Sequence, residues 1–390
     1  MFRKIAFLSV VLGLMVIVLG AYVRLSDAGL GCPDWPGCYG KAIVSDSAEY
    51  QELAKQAFPD QPLEIDKAWK EMTHRYVAGA LGLLILALAL NSWRVTHCRK
   101  IAVFASLTLV LLVGFQAALG MWTVTMKVMP VIVTSHLLMG LITFWMLFWF
   151  YLRVNQGLWL KQDVTGPRGL AFFAMLVLFF QIFLGGWTST NYAALACQGF
   201  PHCNGSWWPL ADYQGALNIL NGLMTGYTGA LGYEGQVATH WMHRVGALVV
   251  FLVFSIVILS ATSSKYDKPI RKGGLVLSVL LFLQIALGIV NVKMGLPLWA
   301  AVAHNGVAAL MMLPLIYIRF YSKYSILEKE EPVEIKDVFV PAGQDIITTI
   351  PVEEIQEAVA EDTYLEKEPE TLYLRLKSQL KRTRSNLGDA

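Results

Sequence analysis

The chain has 390 residues, of which 56% are hydrophobic and 15% charged, with a formal net charge of +3. Soluble domains sit at roughly 45–50% apolar and about 25% charged, so an ordinary water-soluble protein is excluded. The small net charge also gives no basis for a nucleic-acid partner.

The apolar residues fall in eight blocks, at roughly 5–24, 73–93, 101–124, 131–153, 169–189, 239–261, 273–292 and 298–320. Each has about the length that crosses a hydrocarbon core ~30 Å thick. Backbone amides in lipid must be satisfied within their own segment, and Leu, Ala, Gly and Phe dominate, so the spans are expected to be helices. The first block begins MFRK, as a signal peptide can. It is longer than a signal core and lacks a clear small-x-small cleavage site before YVRLSDAG, so it reads as a retained helix.

The basic connections are the N-terminal FRK, WRVTHCRK at 93–100, the segment from Arg153 to Arg168, and KYDKPIRKG at 265–273. They alternate, and the positive-inside rule places them in the cytoplasm with both termini. Arg24, Lys41, Lys127 and Lys293 fall on the other side. The connections at 25–72 and 190–238 then face outward. Cys32, Cys38, Cys197 and Cys203 lie in those outer loops, and only Cys98 lies inside. Disulfides persist on the oxidising side of a membrane, so cysteine placement and charge agree.

The outer loops repeat. GAYVRLSDAGLGCPDWPGC at 20–38 matches GGWTSTNYAALACQGFPHC at 185–203 with both cysteines in register. THRYVAGALG at 73–82 matches MHRVGALVV at 242–250, QAALG at 116–120 matches QIALG at 284–288, and VTSHLLMG at 133–140 matches AVAHNGVA at 301–308. The offset stays between 165 and 169 residues. Two tandem, pseudo-symmetric four-helix bundles are expected, over 1–155 and 156–321, followed by a charged cytosolic tail at 322–390. A third QxxLG closes the fifth span at 181–185, which marks this motif as a common helix-end pattern.

Four of the seven histidines recur with the repeat: His74, His136, His243 and His304. Each lies near the outer start of an even-numbered span, His136 and His304 about 8–10 Å in at ~1.5 Å per residue. An ionisable residue in a span is a functional candidate, although one histidine alone can simply bond a neighbouring carbonyl. Four at matching depth point to ligation. Two imidazoles on neighbouring helices hold a haem iron by its axial positions, whereas zinc or copper needs further ligands at one point. The assignment is one haem per half, between His74 and His136 and between His243 and His304. Arg75 and Arg244 follow the first histidine of each pair. Their guanidinium groups suit haem propionates, or they extend to lipid headgroups. Glu71, three residues before His74, shares its helix face, while His240 holds that slot in the second half. Glu71 is a candidate for handling a proton or developing positive charge, or else an acid favoured by the helix N-terminus.

GAYVRLSDAGLGCPDWPGC, EMTHRY, QAALG, VTSHLLMG, STNYAALAC, NGSWWP, HWMHR and LGIVNV together resemble the haem A synthase family, over nearly the whole chain to about residue 320. The resemblance implies oxidation of the C8 methyl of haem O to the formyl of haem A by successive hydroxylations. It implies a substrate haem at His74 and His136, with Glu71 as catalytic group and Arg75 beside it, and a haem b at His243 and His304 for electron transfer. It implies a disulfide between Cys32 and Cys38. Cys197 and Cys203 form a second pair that not every member has. A bacterial plasma (inner) membrane location follows, with membrane lipid around the spans. Haem O synthase and the cytochrome oxidase assembly machinery are candidate partners, and an oligomer is open. Two rivals share the histidines: a two-haem cytochrome that passes electrons without modifying haem, and a haem carrier or assembly factor.

Overall fold

The computed structural model describes residues 2–95, 98–155, 159–161, 166–220 and 231–326. Eight helices are long and apolar enough to cross a membrane. They are α1 (Phe2–Leu25), α3 (Ile65–Asn91), α4 (Arg99–Thr125), α5 (Pro130–Asn155), α6 (Arg168–Thr190), α8 (Tyr233–Ala261), α9 (Lys268–Lys293) and α10 (Leu298–Tyr321). Two short helices lie in the cysteine-bearing connections, α2 (Ala48–Ala57) and α7 (Tyr213–Ala216). Among the described residues the regular structure is helical apart from one antiparallel pair, β1 (Trp159–Lys161) with β2 (Tyr324–Ile326). The expected tail lies outside the described residues beyond Ile326.

The spans match the apolar blocks, with two departures at the cysteine end. α3 begins eight residues before the block at 73–93, and α8 six before the block at 239–261. These leading turns carry Asp66, Lys67, Lys70 and Glu234, so hydropathy alone ends each block early. They project toward the cysteine loops and pack against them. The large apolar side chains left outside, such as Leu83, Phe104, Leu111 and Leu259, form the surface that lipid would cover.

The helices pack as two rings of four. α1 touches α3 and α5, and α4 touches α3 and α5; likewise α6 touches α8 and α10, and α9 touches α8 and α10. The rings meet through α1 on α10, α5 on α6 and α5 on α10. Small residues permit this contact: a Cβ on Gly306 of α10 would lie 3.3 Å from Val18 of α1. Polar contacts cross the seam. Thr134 and Thr190 sit hydroxyl to hydroxyl at 3.2 Å, the Trp145 indole N–H donates to the Ala309 carbonyl at 3.0 Å, and Arg24 donates to the Ser189 carbonyl at 3.0 Å.

In the first ring the closely packed apolar core joins Leu81, Ile85, Leu88, Leu109, Leu147 and Phe150. Those on α3 and α5 lie farther along their helices than His74 and His136, and Leu109 lies on α4 before Gln116. The core therefore fills the end away from the cysteine loops, and the histidines occupy the other end.

Candidate functional site

Cys32 and Cys38 form one disulfide and Cys197 and Cys203 another, while Cys98 is free and buried. Each disulfide closes a small lid over the histidine end of its ring. The lids share their turns. Cys38 bridges Lys41 and Cys203 bridges Ser206, with Tyr39 and Gly40, and then Asn204 and Gly205, at positive φ. The Asp34 carboxylate closes the first turn by accepting from the backbone of Tyr39 at 2.7 Å and Gly40 at 2.8 Å. Gly31 lets the lid lie directly on α3, since a Cβ there would meet the Lys67 carbonyl carbon at 2.5 Å. The Tyr50 hydroxyl donates to the Cys38 carbonyl at 3.0 Å, and the Tyr39 hydroxyl to the Pro62 carbonyl at 3.1 Å. Burial, then the neighbouring Tyr50 and carboxylates, pushes the Tyr39 phenol up to about 12, so it stays a donor.

Glu71 and Arg75 fasten the first lid to α3. The Cys32 N–H donates to Glu71 Oε2 at 3.0 Å, and Arg75 pairs with the other carboxylate oxygen. Arg75 also donates to the carbonyls of Asp34, Pro36 and Gly37. The second lid uses the matching positions. The Cys197 N–H donates to His240 Nδ1 at 3.2 Å. Arg244 donates to the carbonyls of Cys197 at 2.7 Å, Gly199 at 2.9 Å and His202 at 2.9 Å. The guanidinium groups expected to face propionates are thus engaged by lid carbonyls. A rigid multi-donor fork suits three convergent carbonyls as well as it suits a carboxylate. Glu71 is buried about two turns into α3, beyond the reach of its own helix N-terminus.

The four histidines stand behind the lids. His74 on α3 and His136 on α5 belong to the first ring, and His243 on α8 and His304 on α10 to the second, so each ring holds one pair. Each ring packs against a glycine of the preceding span. A Cβ at Gly20 would meet His74 Cε1 at 3.0 Å, at Gly120 His136 Cε1 at 3.4 Å, at Gly185 His243 Cε1 at 3.0 Å, and at Gly288 His304 Cε1 at 3.2 Å. Any larger residue would fill these bays. Glutamines sit one turn before three of those glycines. Gln116 Nε2 donates to the His136 carbonyl at 3.0 Å. Gln181 Nε2 donates to the His243 carbonyl at 2.9 Å and lies 3.0 Å from its Nδ1. Gln284 Nε2 lies 3.2 Å from His304 Nε2. The QxxLG motif is therefore the wall of a histidine bay, not a helix-end pattern. Its glutamines and glycines are the site residues that sequence reading set aside.

These residues suit a group held by two imidazoles. Nδ1 of His74, His136 and His304 is buried without a well-formed hydrogen-bond partner, as a group meant for a ligand would be. Among the described residues no three His, Cys, Asp or Glu side chains gather as an ordinary metal site would require.

A family model described as COX15-CtaA, cytochrome oxidase assembly protein, matches residues 3–316. A protein of Shewanella oneidensis named Heme A synthase is 43% identical over 318 residues, covering 80% of this chain and 94% of that one. Proteins of the same name from Halalkalibacterium halodurans and Rhizorhabdus wittichii are 27% and 26% identical, covering 78% and 80% of this chain and 92% and 90% of theirs. With a match that reaches into all eight membrane helices and both lids, the chain belongs to the COX15-CtaA family of cytochrome oxidase assembly proteins.

Proposed function

We propose that the protein is a haem A synthase that holds haem O between His74 and His136 and a resident haem b between His243 and His304. The observation that carries this reading is the pair of half-buried imidazoles in each ring, every one seated in a glycine bay. The family match and the names of the relatives support it.

With oxygen from water, two successive hydroxylations of a methyl take up two water molecules and release four electrons and four protons, and loss of one water from the resulting diol leaves the formyl group. Haem b supplies a redox centre that can take electrons one at a time. The protein's part is to hold, exclude and move protons. The lids cover the histidine end of the rings, and the apolar core blocks water from the other end. Glu71 is the one buried carboxylate among the described residues, three residues from His74 on α3. It is the proposed group for taking protons from the reacting methyl side. His240 in the same slot gives the second ring no carboxylate, which suits a ring that only passes electrons.

The membrane is proposed to be the bacterial plasma membrane, with both termini cytoplasmic and the lids outside. The free Cys98 lies beside the basic connections and both disulfides lie at the opposite end, in support of this. The matching ring packing and lid turns favour an origin by tandem duplication. Haem O synthase is the proposed source of substrate and the oxidase assembly machinery the proposed destination of product.

Mass analysis of the haems extracted from the purified protein tests the function. Haem b with haem O, a hydroxylated form and haem A is expected. Unmodified haem alone would identify a two-haem cytochrome or a carrier instead.

A further inference from the structure

Arg24 on α1 and Ser189 on α6 hold the same position in the two halves of the repeat, and they touch across the seam. Arg24 Nη2 donates to the Ser189 carbonyl at 3.0 Å, 165 residues away in the chain. The guanidinium also lies over the ring of Tyr192, 4.5 Å from its centroid. Arg24 follows Gly20 by one helical turn, and Ser189 follows Gly185 by one turn. Residues four apart share a helix face, and each lies about 6 Å nearer the lids than its glycine. Gly20 makes the bay of His74 and Gly185 that of His243. One guanidinium therefore stands at the seam, above both bays.

Its donors are not used up. Nε of Arg24 is buried with no hydrogen-bond partner. Asp27 approaches Nη1 only to 3.8 Å, too long for a hydrogen bond, and 74% of its side chain is exposed against 18% for Arg24. The guanidinium keeps most of its N–H donors for another acceptor, and a cation drawn out of water is costly unless such an acceptor completes it. Other cations at this end are committed or lie in water. Arg75 and Arg244 are engaged by lid carbonyls. Lys67 pairs with Glu64 at 2.9 Å, and Lys70 lies over the Tyr22 ring. Lys41, Lys127 and Lys293 are exposed.

We infer that Arg24 is the carboxylate-binding residue of the first haem site, its unpartnered Nε donating to a propionate of the haem held by His74 and His136. This inference rests on the haem reading proposed above. A guanidinium is the side chain best matched to a carboxylate, and the charge on both partners strengthens the bond. The arginines divide the work: Arg75 and Arg244 clasp the lids, and Arg24 holds the bound group. Because Ser189 ties the same guanidinium to α6, its charge also reaches the second ring. A positive charge favours the reduced, more electron-rich form of a nearby haem. Ser189, at the matching place in the second half, brings no charge of its own.

The test is haem loss from the purified, haem-loaded full-length protein to excess apomyoglobin, read from the Soret band, together with midpoint potentials from a redox titration. Arg24→Gln keeps an amide N–H for the Ser189 carbonyl and loses the charge. One of the two haems is then expected to leave about tenfold faster or more, with a lowered midpoint potential. Arg24→Lys should restore the potential more fully than the retention, since it keeps the charge without the planar fork. Tyr192→Leu removes the ring beneath the guanidinium and should leave both readings unchanged. An equal effect from Tyr192→Leu would assign Arg24 to the seam alone and overturn the inference. If Arg24→Gln does not accumulate, the unaltered protein loaded with haem whose propionates are methyl esters takes its place, and should lose that haem about tenfold faster. Unchanged loss and potentials in Arg24→Gln, or unchanged loss of the ester, would overturn the inference and leave the haem reading intact. Absence of haem from the unaltered protein would overturn both.

Discussion

Glu71 and Cys32 are joined across the contact between α3 and the first lid, the Cys32 N–H donating to the buried carboxylate at 3.0 Å. Cys197 is joined to His240 in the same way at 3.2 Å. One backbone N–H at the start of each disulfide therefore meets one side chain placed three residues before a bay histidine. Lid and histidine are held by a single turn of helix, so anything that shifts the lid reaches the imidazole through that turn.

This shared anchor separates two roles of Glu71. Glu71→Gln keeps an oxygen for the Cys32 N–H and loses the charge. Glu71→Ala loses both, leaving a buried N–H unpaired at a cost of about 1–3 kcal/mol. If the carboxylate handles protons, both variants should lose haem A and its hydroxylated precursor while retaining haem. Only the alanine variant should also expose the first lid to limited proteolysis. Normal haem A yield from Glu71→Gln would remove the proposed proton role and leave the anchoring one.

The glycine bays predict a sterically sharp effect. A Cβ at Gly185 would sit 3.0 Å from the His243 ring, tighter than ordinary contact, and the branched side chain of valine needs more room still. Gly185→Val should remove about half of the bound haem, because one of the two pairs loses its imidazole. Gly20→Val should do the same for the other pair. Gly79→Val is the control, since nothing lies within 4 Å of a Cβ there. Haem content of the purified variants decides it, and full occupancy in Gly185→Val would show that His243 does not depend on its bay.

Much of this was legible beforehand for a physical reason. Spans in lipid are apolar on nearly every face, so their number and order are written in composition. The repeated His-Arg pair and the repeated cysteines keep their spacing because each is fixed to one turn of helix. What stayed hidden depends on neighbours distant in the chain. The early starts of α3 and α8 are polar turns that pack on lids. The lid contacts of Arg75 and Arg244 require knowing where 34–37 and 197–202 fold back. QxxLG carried the bay signal in plain sight. Only the packing of α4 on α5, α6 on α8 and α9 on α10 shows which residue its Gln and Gly face.

Tyr39 gives the first lid an alkaline limit. Its phenol is raised to about 12 in the folded lid, above the ordinary value of 10.0. A folded value above the unfolded one adds stability that is full below pH ~10 and is lost as pH rises through ~12. The first lid should therefore loosen between those values, and Tyr39→Phe should reduce that pH dependence while losing the bond to Pro62, the buried Tyr50 phenol keeping its own share. Protease cleavage within 26–64 across this range measures it. An unchanged pH profile in Tyr39→Phe would show that the lid is held elsewhere.

The disulfides predict a thiol count. Cys98 is free and buried at the start of α4, where burial pushes its thiol up, so it reacts slowly in the native protein. Alkylation of the denatured, unreduced protein should label one cysteine, and reduction beforehand should raise the count to five. Each closed loop is short, so losing one crosslink costs about 2 kcal/mol in the chain-entropy picture. Arg75 and Arg244 still hold their lids by several carbonyls after reduction. Cys32→Ser with Cys38→Ser should then keep its haem while its first lid becomes easier to cleave, and Cys197→Ser with Cys203→Ser should behave alike at the second. If either pair of substitutions empties its ring of haem, the disulfide itself, rather than the arginine clasp, positions the histidines.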